Sequence, residues 1–491
     1  MGCARERKHT ARHAAVTALI VILAALLAVV VCLTGTAWGK LSFDAGAAKV
    51  RVRPAAVSTF YFAEGYTGQN FQEYLCLGNP GDRQATATIT YMFPDGSTQR
   101  GEIRLSPNSR YTVNVNAEVG PDKEVSTMLE SDQRIVAERP MYFNYQGKVT
   151  GGHDVVGATA LSYTWYFAEG YTGPGFEEWI CVLNPGDNPA NLTFYFQTQE
   201  ERQKRIEGFK VSPHARGSFK ANDLLGGKIY QTSLMLTSDQ PVVAERPIYF
   251  DYSGSGTVHW RGGHCVVGVP ALSKEYYFAE GTTRSGFDEW LTLQNPNPQE
   301  ITVSAVYQLG AGQGETVERT YSIPGVSRKT VFVPGPEGVG REKDVSVRLT
   351  SSYSFLAERP TYFSYYFKGL SAEGGHCVIG ADAPAGEWFF AEGYTGPNSD
   401  QWLCLQNPGD EDAVVEIIYY TQEEGTLPAR TETVPARTRR TLMVNEHAGP
   451  GYQLSTRVKL ISGPEIIAER PMYFLFNGVW DGGHDVVGFV P

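Results

Sequence analysis

Residues able to do chemistry recur in the same order four times along this 491-residue chain. A glutamate sits in each Phe-Ala-Glu-Gly string: Glu64, Glu169, Glu280 and Glu392. A charged pair sits in each Ala-Glu-Arg-Pro string: Glu138-Arg139, Glu245-Arg246, Glu358-Arg359 and Glu469-Arg470. A histidine closes each Gly-Gly-His: His153, His264, His376 and His484. Two carboxylates and an imidazole could hold a divalent cation or pass protons. The spacing argues otherwise, because recognisable zinc patterns pair ligands roughly two to five residues apart. Here 74 residues separate Glu64 from Glu138. An enzyme seldom carries four identical sites in tandem, so no catalytic residue, metal or cofactor is expected. The expected role is a buried ionic cluster. Ile135 and Val136 flank the first pair with apolar surface, and a charge placed there must be paired. Glu138 and Arg139 are strand neighbours pointing to opposite faces, so each needs another partner. Glu64 is the expected partner of Arg139, and Glu138 is expected to cap backbone donors or meet His153.

Aromatic residues follow the first string in each copy: Tyr66 and Tyr74, Tyr171 and Trp179, Trp290, and Tyr394 and Trp402. Exposed, they could stack on sugar rings; buried, they would pack one unit's end against the next. The Gly-Gly pairs read as hairpin turns in which glycine takes positive φ. No phosphate-binding glycine loop precedes a helix, and Gly254-Ser255-Gly256 reads as a loop. Cysteines repeat irregularly. Cys76, Cys181 and Cys404 share a position that is Thr292 in the third copy, while Cys265 and Cys377 stand where the other copies have Asp154 and Asp485. At most one bridge within a unit, Cys181–Cys265, is compatible with that pattern, so the thiols are expected to be mostly free.

These residues are positioned by strands. In the first copy Ala85, Ala87, Ile89, Tyr91 and Phe93 alternate with polar or smaller residues, and a second alternating run carries Val125, Thr127 and Leu129. Pro94-Asp95-Gly96 supplies a hairpin turn. Aromatics at 12%, with 53 Gly and 28 Pro, fit a turn-rich all-β chain. The expected fold is a tandem array of four immunoglobulin-like β-sandwich repeats, each of about seven strands, at residues 59–162, 163–273, 274–384 and 385–491. The strings resemble an uncharacterised repeat family of bacterial cell-surface proteins. That resemblance implies a surface location and a β-sandwich array, and it supplies no catalytic residues.

Arg5, Arg7, Lys8 and Arg12 precede an uncharged stretch from Ala14 to Leu33, long enough for one transmembrane helix. The basic flank places the N-terminus in the cytoplasm and the repeats outside. Residues 1–38 are therefore expected to be a signal-anchor and 39–58 a linker, with cleavage and secretion as second choice. A net charge of −11 argues against a nucleic-acid partner. The functional expectation is a membrane-tethered structural or adhesive surface protein. The alternative is a multivalent carbohydrate-binding module for cell-wall or capsular glycan, and the expected partners are the membrane, envelope glycan or surface proteins.

Overall fold

The computed structural model describes residues 41–42, 51–52, 57–253 and 259–491. The apolar stretch at 14–33, most of the 39–58 linker and the 254–256 loop lie outside them. Leu41–Ser42 pairs with Arg51–Val52 in a short antiparallel ladder. Ser58–Pro491 forms a separate compact body. Its helices are single turns, such as Val115–Val119, and everything else regular is strand. Among the described residues no helix is long and apolar enough to cross a membrane.

The first copy sets the pattern. Its strands are β1 (Ser58–Phe62), β2 (Phe71–Asn79), β3 (Ala85–Met92), β4 (Thr98–Leu105), β5 (Ser109–Asn114), β6 (Ser126–Ser131), β7 (Val136–Glu138), β8 (Met141–Tyr145) and β9 (Val149–His153). One sheet has the order β1-β6-β3-β4; the other runs β9-β8-β2-β5, with β7 also on β2. The later copies repeat these pairings. Ala190–Thr198 lies between Arg202–Val211 and Thr232–Ser253, as β3 lies between β4 and β6. An immunoglobulin sheet would place the first strand beside the second, whereas here β1 pairs with β6.

Alternation places the core as expected. Ala85, Ala87, Ile89 and Tyr91, then Val125, Thr127 and Leu129, are buried, as are Leu192, Phe194 and Phe196 in the second copy. Gly96 takes φ 82° in the expected hairpin turn.

The Gly-Gly pairs correct the sequence reading. Gly151 and Gly152 lie within β9 and not in a turn, and neither they nor their counterparts have positive φ. Close approach is the reason for glycine. A Cβ on Gly262 would stand 3.0 Å from the Gly374 Cα, and one on Gly482 would stand 2.9 Å from the Gly151 Cα. The second glycine of each pair receives a phenylalanine from the preceding copy: Phe143 at Gly263, Phe250 at Gly375, Phe363 at Gly483 and Phe474 at Gly152. The last of these contacts joins the fourth copy to the first. The units of Ser58–Pro491 therefore close on themselves in a ring around their four glycine strands, an arrangement of the repeats that the sequence left open.

Candidate functional site at the junctions between units

Each recurring Glu, Arg and His of the Phe-Ala-Glu-Gly, Ala-Glu-Arg-Pro and Gly-Gly-His strings is buried at a junction between consecutive units, and the Ala-Glu-Arg-Pro arginines pair across the junction. Arg139 meets Glu245 of the next unit at 2.7 Å, not Glu64. Arg246–Glu358, Arg359–Glu469 and Arg470–Glu138, each at 2.9 Å, repeat the arrangement and close the circle. Each of these glutamates also caps backbone of the preceding unit. Ala63 N–H donates to Glu245 (2.7 Å), Ala168 N–H to Glu358 (2.6 Å), Ala279 N–H to Glu469 (2.7 Å) and Ala391 N–H to Glu138 (2.9 Å). Glu138 thus caps backbone donors as expected, though in the fourth unit and not its own.

Burial pushes Glu245 up, while the Arg139 guanidinium pulls it back down. Arg139 itself is opposed by burial and held charged above all by Glu245, with a net shift upward.

Of the Phe-Ala-Glu-Gly glutamates, Glu280 pairs with Arg359 of its own unit at 2.9 Å, the third-unit counterpart of the expected Arg139–Glu64 pair, while Glu169 and Glu392 pair with a second buried arginine that the sequence reading missed. Arg110, Arg216, Arg328 and Arg439 reach back onto the preceding unit. Arg110 pairs with Glu392 at 3.2 Å and Arg328 with Glu169 at 3.4 Å. Arg216 donates to the Gly65 carbonyl, and Arg439 donates to that of Gly281 at 2.5 Å. Their signal was present, since each lies 31 to 33 residues after the recurring Asn-Pro asparagine.

Also missed were Glu73, Glu178 and Glu289, with Gln401 in the fourth unit, all fully buried. Burial pushes Glu73 and Glu178 up to about 8, which keeps them protonated at neutral pH. The neutral amide of Gln401 at the same position fits that protonated form.

The histidines sit deepest. His153, His264, His376 and His484 are at most 2% exposed, and each packs against the phenylalanine of its own unit. Desolvation, the largest cause, lowers all four well below 6.5; a nearby arginine adds to it in each, and neighbouring histidines add to it in all but His264. They are neutral at physiological pH. Seven of their eight ring nitrogens have no hydrogen-bond partner. The thiols at the junctions are free, Cys181 and Cys265 included.

The aromatics line clefts at the same junctions. Tyr66 and Trp179 pack around the first junction, Tyr171 and Trp290 around the second, and Trp402 at the third. Tyr74 and Tyr394 face the fourth, where a cleft of about 570 Å³ opens between the last unit and the first. Tyr142 and Phe476 stack there at 3.8 Å, with Arg110, Glu392 and Cys76 on the lining. The equivalent cleft between units two and three is smaller, about 210 Å³, and includes Tyr171, Trp290, Arg328 and Glu169. The aromatics therefore pack between units and line the clefts there.

No protein-family model matches the chain, and no curated protein matches it. Among solved structures, a Thermotoga maritima protein aligns at 22% identity over 22% of this chain and 93% of its own, with a TM-score of 0.19. The Anabaena sensory rhodopsin transducer aligns at 26% identity over 18% of this chain and 88% of its own, at 0.16. Scores this low carry no inference about function.

Proposed function

We propose that the chain is a membrane-tethered glycan-binding protein of a bacterial cell surface, with four copies of one β-sandwich repeat closed into a rigid ring that displays clefts at its junctions. The basic, apolar N-terminal segment is the tether, and the ring lies outside the membrane. The observation that carries the reading is the lining of the cleft between the fourth and first units. Tyr74, Tyr394 and the outer side of Phe476 provide ring faces, with Tyr142 stacked behind Phe476, while Asn114, Gln422, Gln453 and Asn477 provide amide donors and acceptors. Flat aromatic faces with amides around them are the chemistry that holds a sugar, whose rings present both C–H faces and hydroxyls. The buried Arg–Glu circle serves as the scaffold that fixes the cleft walls. Linked clefts on one ring would add avidity toward a repeating polysaccharide.

A glycan array probed with the full chain tests this. Binding to a cell-wall or capsular saccharide is expected, with a loss of tenfold or more in Tyr74→Ala and Tyr394→Ala variants of unchanged circular dichroism. An array with no hit, or a hit kept equally by both variants, overturns the reading.

A further inference from the structure

We propose that the junction between the third and fourth units holds a first-row divalent cation of the zinc, cobalt or manganese class, ligated by Glu280, His376 and Asp485. One donor atom from each of the three lies within 4.8 Å of the other two, and all three residues are buried. They come from different parts of the chain. Glu280 belongs to the Phe-Ala-Glu-Gly string and His376 to the Gly-Gly-His of the third unit, while Asp485 follows the Gly-Gly-His of the fourth. Sequence spacing alone hides such a set, and the expectation of no metal rested on that spacing.

The imidazole and one aspartate oxygen are unused. Both ring nitrogens of His376 and Oδ1 of Asp485 make no hydrogen bond, and the residues are 2% exposed. Glu280 Oε2 is ion-paired with Arg359 Nη2 at 2.9 Å, so this carboxylate would be shared between the guanidinium and the cation. A buried imidazole without a partner on either nitrogen is costly unless something satisfies it. In a tetrahedral site with bonds near 2.1 Å the donors stand about 3.4 Å apart, so side-chain rotations of roughly an ångström close the set. Arg359 is placed to act behind the ligands. It donates to Asp485 Oδ2 at 2.5 Å and to Glu469 at 2.9 Å, which leaves Oδ1 for a metal. Such outer hydrogen bonds orient ligating carboxylates.

Carboxyl content singles out this junction. Four buried carboxyl groups (Glu280, Glu289, Glu469 and Asp485) gather beside two guanidiniums, Arg359 and Arg439, one carboxyl more than at each of the other junctions. At the fourth-to-first junction Gln401 replaces the extra glutamate, and His484 Nδ1 already meets Arg470 Nη1 at 3.5 Å. At the other two junctions Cys265 and Cys377 stand in place of the aspartate. One nitrogen with two carboxylate oxygens suits zinc, cobalt or manganese better than the all-oxygen preference of calcium and magnesium.

The test loads the full chain with Zn²⁺, and separately with Co²⁺ and Mn²⁺, removes free metal by dialysis and measures bound metal by mass spectrometry. One equivalent per chain is expected for at least one of the three ions. It should fall to none in Asp485→Asn and in His376→Gln, and stay at one in the matched control Asp154→Asn. Metal retained by Asp485→Asn and His376→Gln, or no bound metal in the parent with any of the three ions, overturns the proposal. Should Asp485→Asn fail to fold, His376→Gln and the parent stoichiometry decide. Because the site lies away from the Tyr74 cleft, its failure would leave the glycan reading standing, and the reverse.

Discussion

Arg139 shows what one residue does in this molecule. It is completely buried, and its guanidinium is held by a glutamate one unit further on. Removing one partner of such a pair strands a charge and costs on the order of 3–5 kcal/mol, against about 0–1 for an exposed pair. Arg139→Met should therefore lower the urea midpoint of the full chain severely, while Lys148→Ala on an exposed loop should leave it in place. Equal midpoints would mean the pair is not buried as described. Glu73 makes a prediction about pH. Its folded carboxyl titrates at about 8, against 4.5 for an ordinary glutamate. Between those values the folded chain keeps a proton that the unfolded chain has lost, so this group's contribution to stability falls as pH rises. The slope is about 1.4 kcal/mol per pH unit. Glu73→Gln cannot ionise, and the fourth unit already tolerates Gln401 there. The variant's gain over the parent in denaturant unfolding should grow from pH 5 to pH 7.5, and a gain that does not change with pH would refute the assignment.

Among the elements, the glycine strands decide whether units can meet. Gly262→Ala would push a Cβ to 3.0 Å from the Gly374 backbone, where no flexible side chain can yield. Overpacking of this kind costs roughly 1–3 kcal/mol. Gly101, on the outer strand β4 with its nearest neighbour at 3.8 Å, is the control whose alanine variant should melt like the parent. If Gly262→Ala also melts like the parent, the strands are not in contact. These glycines also mark the limit of sequence reading. The strings around Glu64, Glu138 and His153 were legible as a recurring polar set, and alternation showed the core face of β3 and β6. Glycine, however, serves turns and close approach alike, and only the contact across the axis tells them apart. Pairing was illegible for a related reason. Arg139 with Glu64 and Arg139 with Glu245 satisfy the same repeat pattern, since identical units make partners within a copy and between copies indistinguishable. Arg110 and Glu73 were missed because their surrounding strings vary from copy to copy although their positions do not.

At the scale of the whole molecule, closure brings the last copy of the repeated strings against the first. The largest of the described clefts exists only because the last unit returns to the first. Three further contacts rest on the same return: Arg470 with Glu138, Phe474 at Gly152, and Phe60 against Phe489 at 5.3 Å. Thr150 of the first unit also donates to Asp481 of the fourth at 2.6 Å. A pair of cysteines at these two positions, Thr150→Cys with Asp481→Cys in the full chain, tests closure directly. Under mild oxidation the ring requires a disulfide within one chain, identified by mass spectrometry as a 150–481 cross-linked peptide in monomeric protein. An open string would hold positions 150 and 481 units apart. Only cross-links between chains, or none at all while both thiols remain reactive, would contradict the ring and the cleft that depends on it.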